Sequence, residues 1–368
     1  MQEIINLRHS IHQNPELAFN EFKTTEIIYD YLSQLNPNYL KKLDRTGLIA
    51  GFYGQNQGKN ILLRTDIDAV NITENTNKQY KSINQGIAHS CGHDGHIAIM
   101  LSLAKKIAKA KFNGKIYLLF QPAEEIGEGA KYVLDSKVLD DLNIDYCYGY
   151  HNLPGVKAGQ IAIASKLFCA TSLALKIVYQ GINAHASEPE KGISPVAATA
   201  STILSVEQIA SKLEAVSYTQ ALIIYSFLGS KNFGIAPDKS ETGITLRAYR
   251  LSDLELLKQM IIQNCQRIAE WNKLNFEFLE TDFFPPVVID ESLYHQVLNR
   301  LEDNNFDYSI LEKPFTWSED FGYFANKFPS MFIGLGVGDN QANLHNNQYD
   351  FPDDLIVPFT EKLFKIFV

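Results

Sequence analysis

Cysteine and tryptophan are scarce in this sequence, and it has no long apolar run. The 368 residues include 4 cysteines and 2 tryptophans. Cys91, Cys147, Cys169 and Cys265 follow no framework spacing, which argues against a disulfide scaffold and favours a reducing compartment. No apolar run approaches the roughly 20 residues of a membrane span, and the first residues do not resemble a signal peptide. We therefore expect a cytoplasmic protein that does not use the membrane as a partner.

Basic residues are also in the minority. The chain has 33 Lys and Arg against 42 Asp and Glu, which gives a formal net charge of -9. This balance argues against nucleic acid or an acidic membrane surface as the partner, because both require clustered cations. An apolar content of 45% over this length is enough for the cores of two domains.

The densest chemical feature is the segment from His89 to His96, which contains a thiol, three imidazoles and a carboxylate. Cysteine thiolate and neutral imidazole are ligands that Zn²⁺ accepts, and Cys91-Gly92-His93 can bring two of them to one ion. The same residues are also compatible with a Gly-broken loop before a helix that starts near Ile97, with Cys91 merely buried. Taken alone, the segment predicts half of a metal site.

Further candidate ligands follow three apolar runs that are typical of buried strands. The run at 116–120 leads to Glu124 and Glu125, the run at 146–150 leads to His151, and the run at 332–336 precedes His345. In open α/β sheets, ligands bind outside the carboxyl ends of the strands. We therefore expect these side chains to converge although they are far apart in the sequence.

Strands and helices alternate at both ends of the chain, but the middle has a different pattern. Apolar patterning from about Leu173 predicts the order β-α-β-β-α-β of a ferredoxin-like module, with a capping box formed by Ser252 and Glu255. The predicted fold is α/β, with a central mixed sheet in a catalytic domain that a small α+β domain interrupts. The predicted ranges are 1–169 and 284–368 for the catalytic domain and 170–283 for the insertion.

Several of these motifs together resemble the M20 metallopeptidase family in order and spacing. The motifs are His89–His96, Pro122–Glu125, Tyr150–Pro154, Gly181–Ala186 and Leu344-His345, with further matches at Arg64–Ala69 and Ser318–Tyr323. The sequence is most similar to the amidohydrolase branch, which includes hippurate hydrolase, auxin-conjugate amidohydrolases and N-acetyldiaminopimelate deacetylase. The resemblance implies a zinc-peptidase-like fold and hydrolysis of the amide bond of N-acyl amino acids such as N-acetyl or N-benzoyl compounds.

The resemblance also implies a two-metal centre and its ligands. The implied ligands are Cys91, in the bridging position, with His93, Glu125, His151 and His345. The two divalent ions could be Zn²⁺, Mn²⁺, Co²⁺ or Ni²⁺, and they would lower the pKa of a water and polarise the scissile carbonyl. Glu124 is then the expected general base, which takes the proton from that water and gives it to the leaving amine.

Other roles are also implied by the resemblance. Asp66 and Asp68 are expected to orient ligand imidazoles, whereas His96 is expected to hold the loop or start the helix. His185, in the inserted domain, is expected to bind the carbonyl oxygen or developing oxyanion, from its own or a partner subunit. Asn232 is a candidate substrate contact, because an asparagine of the family's lid contacts substrate or the neighbouring subunit, although residues 232–237 depart from the usual lid motif here. The inserted domain is expected to act as a lid and to form a homodimer or higher homo-oligomer.

The sequence leaves other functions open. One is a dipeptidase or aminoacylase of the same superfamily, and another is a non-catalytic binding protein with the same fold. A third is a cysteine hydrolase with Cys91 as nucleophile and His93 as base, although two residues on one turn are poorly placed for a catalytic pair. His9, His12 and His295 have no comparable context, and we interpret them as structural.

Overall fold

The computed structural model describes residues 2–214, 217–229 and 231–368, and this part of the chain divides into two compact units. The first unit consists of Met1–Phe168, Val287–Lys313 and Asp320–Val368, and the second of Cys169–Pro286 and Pro314–Glu319. The sequence interpretation assigned 314–319 to the catalytic domain, so this short segment is a correction. Among the described residues, no helix has the length and apolar character needed to cross a membrane.

The first unit is built on a mixed sheet flanked by helices. Its strands are β1 (Tyr39–Lys42), β2 (Leu48–Tyr53), β3 (Asn56–Asp66), β4 (Asn113–Gln121), β5 (Tyr146–Pro154), β6 (Ile161–Ile163), β13 (Tyr308–Ile310) and β14 (Ser330–Gly338). Its helices are α1 (Gln2–Gln13), α2 (Phe22–Ser33), α3 (His93–Ile107), α4 (Gly129–Asp135), α7 (Glu291–Asp303), α8 (Gly322–Lys327) and α9 (Ile356–Phe367).

The order of the strands brings four parallel strands together at the centre of this sheet. The eight strands are ordered β1-β2-β4-β3-β5-β14-β6-β13, and the pairs β4–β3, β3–β5 and β5–β14 are parallel. The runs that were predicted as strands are buried, as Leu118, Leu119 and Phe120 are in β4. Parallel neighbours end at the same edge, so β3, β4 and β14 direct the next residues of the chain toward one side of the sheet.

Helix α3 is buried along almost its whole length and packs against α1 and α9. It begins at His93 rather than at Ile97, so His93 and His96 lie in its first turn and not in a loop. Gly92 makes this early start possible because its φ of 89° is in the left-handed region, which residues with a side chain rarely adopt. A Cβ atom there would also lie 2.7 Å from Asn152 Oδ1.

The second unit is an antiparallel sheet with two long helices. Its elements are β7 (Thr171–Gln180), β8 (Ala184–His185), α5 (Val196–Glu214), β9 (Thr219–Leu228), β10 (Ile235–Ala236), β11 (Lys239–Ala248), α6 (Leu251–Trp271) and β12 (Asn275–Phe284). The four long strands are ordered β12-β7-β11-β9, the arrangement expected for the predicted β-α-β-β-α-β module. Strands β8 and β10 form a separate two-stranded ribbon.

One face of α6 packs in the core of the second unit, but the helix does not start where the predicted capping box places it. Leu254, Leu257, Ile261 and Cys265 are buried against residues of β7 and β11. The predicted capping box is wrong, because the helix begins at Leu251 and Arg250 occupies the N-cap position without a side-chain cap. Ser252 therefore lies inside the first turn and cannot cap it.

Candidate metal centre

The first unit brings the five predicted metal ligands together. Cys91 Sγ lies 3.5 Å from His151 Nε2, and Glu125 Oε1 lies 3.8 Å from His93 Nε2 and 3.3 Å from His345 Nε2. Potential ligand atoms of Cys91, Glu125 and His345 all lie within 4.8 Å of one another. The predicted convergence of side chains from distant segments is therefore present in the structure.

Different elements deliver these side chains. Cys91 and His93 stand on either side of the left-handed Gly92, whereas His151 lies within β5 instead of beyond its end. Glu125 follows β4, and His345 lies in the loop between β14 and α9. The His345 amide donates a 2.8 Å hydrogen bond to the carbonyl oxygen of Ser90, which ties this loop to the segment that carries Cys91.

Hydrogen bonds fix which nitrogen of two histidines can bind a metal. The Nδ1–H of His93 donates to the carbonyl oxygen of Asp68 at 2.9 Å, and the Nδ1–H of His151 donates to the carbonyl oxygen of Asn152 at 2.9 Å. A carbonyl oxygen only accepts, so Nδ1 holds the proton and the Nε2 lone pair faces the cluster. This arrangement is typical of metal-binding histidines.

The chemistry of this cluster fits divalent cations. Nε2 of His93 is buried and has no hydrogen-bond partner among the described residues, yet it lies 3.9 Å from Glu124 Oε2 and 3.8 Å from Asp66 Oδ1. An unsatisfied buried lone pair costs free energy, which a bound cation would recover. Thiolate, imidazole and carboxylate together form a donor set suited to Zn²⁺ and its neighbours in the transition series.

The pKa values of the cluster also indicate surroundings suited to a cation. Burial, together with the Glu125 and Glu124 carboxylates, raises the pKa of the Cys91 thiol, so the thiolate needs a nearby cation. Burial alone would lower the pKa of His93, but Asp66 and other acidic neighbours raise it to about 10. Burial and the neighbouring His96 lower the pKa of His151 to about 3, which keeps its imidazole neutral and able to coordinate.

His96 belongs to the surroundings of this cluster, because both of its nitrogens are already used. Its Nδ1–H donates to Asp66 Oδ1 at 2.6 Å, and its Nε2 accepts from the Asn152 amide at 3.1 Å. Asp66 therefore holds His96 and not one of the five predicted ligands. Asp68 accepts from the His93 Nδ1–H through its carbonyl oxygen, and its Oδ1 lies 3.5 Å from the same nitrogen, while its Oδ2 accepts from the Glu125 amide at 3.0 Å.

Glu124 lies beside the cluster at the turn after β4. It is buried, and its carbonyl oxygen accepts from the Gly127 amide at 2.8 Å. Its Oε2 lies 3.9 Å from the same His93 Nε2 that Glu125 Oε1 approaches at 3.8 Å. A carboxylate in this position can accept a proton from a molecule bound at the cluster while Glu125 serves as a ligand.

The sequence interpretation missed a buried charge network that includes His12. Arg8 is completely buried and bonds Asp94 Oδ2 at 3.0 Å and Asp350 Oδ1 at 2.9 Å, while His12 Nδ1 lies 2.8 Å from the same Asp94 oxygen. Asp94 directly follows His93, and Asp350 lies five positions after His345. The spacing of Arg8 and His12, four residues apart on α1, is the signal that could have indicated a shared buried face.

His185 and Asn232 both belong to the ribbon of the second unit. His185 pairs with Ile235 in the β8–β10 ladder and places Nδ1 2.7 Å from Ser187 Oγ. The Asn232 side chain accepts from the Gly234 amide at 2.9 Å in the turn that leads into β10. Both side chains are exposed, and their roles in substrate binding remain predictions.

Comparison with known proteins identifies the family. The profile of Peptidase family M20/M25/M40 matches residues 62–366. The chain belongs to this family. The hippurate hydrolase of Campylobacter jejuni is 30% identical over 357 residues, which cover 96% of this chain and 93% of that protein. The N-acetyl-L-cysteine deacetylase of Bacillus subtilis is 30% identical over 362 residues, which cover 97% of this chain and 85% of that enzyme.

A solved structure in the M20 family agrees with this assignment. A Bacillus subtilis protein described as a dinuclear metal binding peptidase from this family superposes with a TM-score of 0.81 at 25% identity, covering 99% of this chain and 96% of that one. The predicted resemblance and the α/β fold with a large mixed sheet are therefore confirmed.

Proposed function

We propose that this M20 protein is a metal-dependent amidohydrolase that cleaves the amide bond of N-acyl amino acids. The observation that carries the proposal is the convergence of Cys91, His93, Glu125, His151 and His345, of which the first two and His151 are buried, with Glu124 beside them. The relatives named for hydrolysis of hippurate and of N-acetyl-L-cysteine support the substrate class. The products would be a carboxylic acid and a free amino acid.

We assign the two divalent ions to these five side chains. When bound there, the ions would supply Lewis-acid activation of a water molecule and of the scissile carbonyl group. The Nδ1–H bonds of His93 and His151 to carbonyl oxygens hold both imidazoles ready to coordinate through Nε2. We include Zn²⁺, Mn²⁺, Co²⁺ and Ni²⁺ as candidates, because the donor set contains sulfur, nitrogen and oxygen.

The proton transfers fall to Glu124. Its carboxylate takes a proton from the attacking water, holds it, and delivers it to the nitrogen of the leaving amino acid as the C–N bond breaks. The Glu124 side chain is almost fully buried, so little bulk water competes for this proton. We retain His185 as the proposed donor to the carbonyl oxygen and Asn232 as a proposed substrate contact, as the family resemblance implies.

The geometry disfavours the cysteine-hydrolase alternative. Cys91 Sγ contacts Nε2 of His151 at 3.5 Å, whereas that mechanism expects His93 as its base. Reactive cysteines have a lowered pKa in electropositive surroundings, whereas acidic neighbours and burial raise the pKa of Cys91. Chelation and thiol alkylation separate the two mechanisms, because only the metal-dependent enzyme should recover when metal is added back.

The experiment that tests the proposal measures release of free amino acid from N-acetyl and N-benzoyl amino acids by the purified protein. The assay is run as purified, after chelation and dialysis, and after addition of Mn²⁺ or Zn²⁺. We expect loss of hydrolysis on chelation and recovery with metal. Hydrolysis that resists chelation, or that is absent with every metal and substrate, would refute the proposal.

We also propose that the second unit joins two copies of the chain through the free edge of β9. This strand ends the four-stranded sheet, and its sequence, Thr219–Leu228, contains no charged residue, glycine or proline. Leu222, Ile224 and Phe227 are 55%, 57% and 65% exposed. An edge strand of this kind is prone to pair with a second copy, and antiparallel pairing around a two-fold axis would satisfy both edges.

The opposite edge of the sheet provides a matched control. Strand β12 carries Glu277, Glu280 and Asp282, and such charges oppose pairing between copies. We expect Ile224→Lys to convert a dimer to a monomer in light scattering, whereas Phe278→Lys on β12 leaves the mass unchanged. A monomeric wild-type protein, or a dimer that Ile224→Lys leaves intact, would contradict this interface.

A further inference from the structure

Glu21 is a completely buried carboxylate that the proposed chemistry does not use. It occupies the N-cap position of α2 but makes no side-chain bond to that helix. Instead, Glu21 Oε2 accepts from the Thr46 hydroxyl at 2.6 Å, and Oε1 accepts from the Ala123 amide at 2.8 Å. In the described part of the chain, no Lys, Arg or His forms an ion pair with it.

Burial without a cation makes this placement costly. Burial and the Asp68 carboxylate raise the pKa of Glu21 to about 7, so the folded protein opposes its ionisation near neutral pH. As the N-cap residue of α2, Glu21 could have accepted a hydrogen bond from an amide in the first turn of that helix, at the surface. Instead, the Glu21 carboxylate contacts the Ala123 amide, in a loop that lies 102 positions later in the sequence.

The backbone of that loop depends on the Glu21 contact. Ala123 has a φ of 55°, in the left-handed region, which is strained for a residue with a side chain. Glu21 binds the Ala123 N–H, and the Ala123 carbonyl oxygen accepts from the Gly129 amide at 3.0 Å. The peptide groups on both sides of the Ala123 Cα are thus fixed in the strained conformation.

Two carboxylates hold alternate amides of this loop, and Glu124 lies between them. Glu21 binds the amide of Ala123, and Asp68 Oδ2 binds the amide of Glu125 at 3.0 Å. The direction of the Glu124 side chain is set by the φ and ψ angles of these residues. If the Ala123 contact were lost, the Glu124 carboxylate would be free to turn away from His93, which it now faces at 3.9 Å.

We propose that Glu21 is a positioning residue for the reaction, acting through the Ala123 amide to aim the Glu124 carboxylate at the bound substrate. The inference rests on the proposed function, because it assumes that Glu124 moves the proton. The hydrogen-bond partners of the Glu21 carboxylate are Thr46 and Ala123, neither of which is one of the five proposed metal ligands. A misplacement of about 1 Å in a catalytic group can cost on the order of 100-fold in rate.

Three variants separate positioning from simple stabilisation. Glu21→Leu removes the acceptor and leaves the Ala123 N–H unsatisfied, so kcat should fall roughly 10- to 100-fold while KM changes little. Glu21→Gln keeps an oxygen for that N–H and can donate its amide to the Thr46 hydroxyl, so kcat should stay within a few-fold of wild type. Thr46→Val removes the other hydrogen bond of the same carboxylate, and it should lower the melting temperature without lowering kcat.

Two further measurements make the test independent of activity. With ¹⁵N-alanine labelling, the Ala123 amide resonance should shift in Glu21→Leu and stay in place in Thr46→Val, because only the first variant removes its acceptor. Metal content should match wild type in all three variants, since the ligands are untouched. If Glu21→Leu does not fold, Glu21→Asp takes its place, because a side chain one methylene shorter cannot reach both partners.

The outcomes that overturn the inference are specific. Wild-type kcat in Glu21→Leu, or an equal loss of kcat in Thr46→Val, would show that Glu21 does not position the loop for catalysis. Glu124→Gln is measured beside them, because full activity in that variant would overturn the general-base assignment. Loss of activity in Glu124→Gln with wild-type kcat in Glu21→Leu would leave the proposed function intact and refute only the positioning role.

Discussion

Replacement of Arg8 by methionine tests whether the buried charge network stabilises the first unit. Arg8 is inaccessible to solvent and bonds Asp94, Asp350 and Asp353 at 3.0, 2.9 and 2.7 Å. Methionine fills much of the same volume but leaves these carboxylates without the guanidinium. Removal of one partner from a buried ion pair typically costs about 3 to 5 kcal/mol, because it leaves an uncompensated charge.

The other partners of these carboxylates place the expected loss at the lower end of that range. His12 still faces Asp94 at 2.8 Å, and Lys78 Nζ still contacts Asp350 at 2.8 Å. Asp353 is partly exposed, so water can solvate it. We therefore expect Arg8→Met to lower the free energy of unfolding by about 3 kcal/mol, a large part of the 5 to 15 kcal/mol typical of a domain.

Urea unfolding followed by far-ultraviolet circular dichroism measures this change. Trp271 and Trp317 both lie in the second unit, so tryptophan fluorescence reports that unit and serves as an internal reference. Lys131→Met is the matched control, because it breaks an exposed pair with Asp135 on α4 and should change stability little. A loss below about 1 kcal/mol in Arg8→Met would refute the reasoning that the network compensates buried charge.

Three further predictions concern the proposed base, a buried histidine and a crowded glycine. Glu124→Gln should keep its metal, as measured by elemental analysis, and lose about 100- to 10,000-fold in kcat; full turnover would exclude general-base catalysis by Glu124. Burial would lower the pKa of His12, but Asp94 and the hydrogen bonds of Asp94 and Glu74 raise it to about 9. Because this pKa lies above the value of about 6.5 in the unfolded chain, protonated His12 stabilises the folded protein fully below about pH 6.5. The stabilisation is lost as the pH rises through about 9. His12→Gln should accordingly reduce the free energy of unfolding by roughly 2 to 4 kcal/mol at pH 6 and by much less near pH 10, and a difference that does not vary with pH would contradict the assignment. In Gly95→Ala, the new Cβ would lie 2.1 Å from the Phe351 ring, and calorimetry should show a loss of about 1 to 3 kcal/mol; an unchanged melting temperature would mean that the ring can move aside.

The parts of the site that sequence could predict are those that depend on local pattern. Glu125 and His345 come after apolar runs that are typical of buried strands, and parallel strands deliver the residues beyond their carboxyl ends to one edge of the sheet. Cys91 and His93 were recognisable because thiolate and imidazole are ligands that Zn²⁺ accepts, and only Gly92 separates them in the sequence. For these residues, short-range pattern and one topological rule were sufficient.

The parts that sequence could not predict depend on partners far along the chain. Arg8 and Asp350 are 342 positions apart, and nothing around either residue indicates the other. Glu21 resembles an ordinary helix cap until the structure shows that its side chain turns away from the helix. The start of α3 was misplaced because the left-handed Gly92 allows a helix to begin at His93, where sequence pattern alone suggests a loop.

The bond between Arg8 and Asp350 has a consequence for the way the protein is made. Arg8 leaves the ribosome 342 residues before its partner, and at roughly 5 to 20 residues per second that interval is on the order of 20 to 70 seconds. His345, the last of the proposed ligands, emerges almost as late. The second unit, most of which is the continuous segment Cys169–Pro286, is synthesised in full before then. A growing chain therefore cannot assemble the complete proposed metal site until His345 has emerged, after the whole second unit has been synthesised.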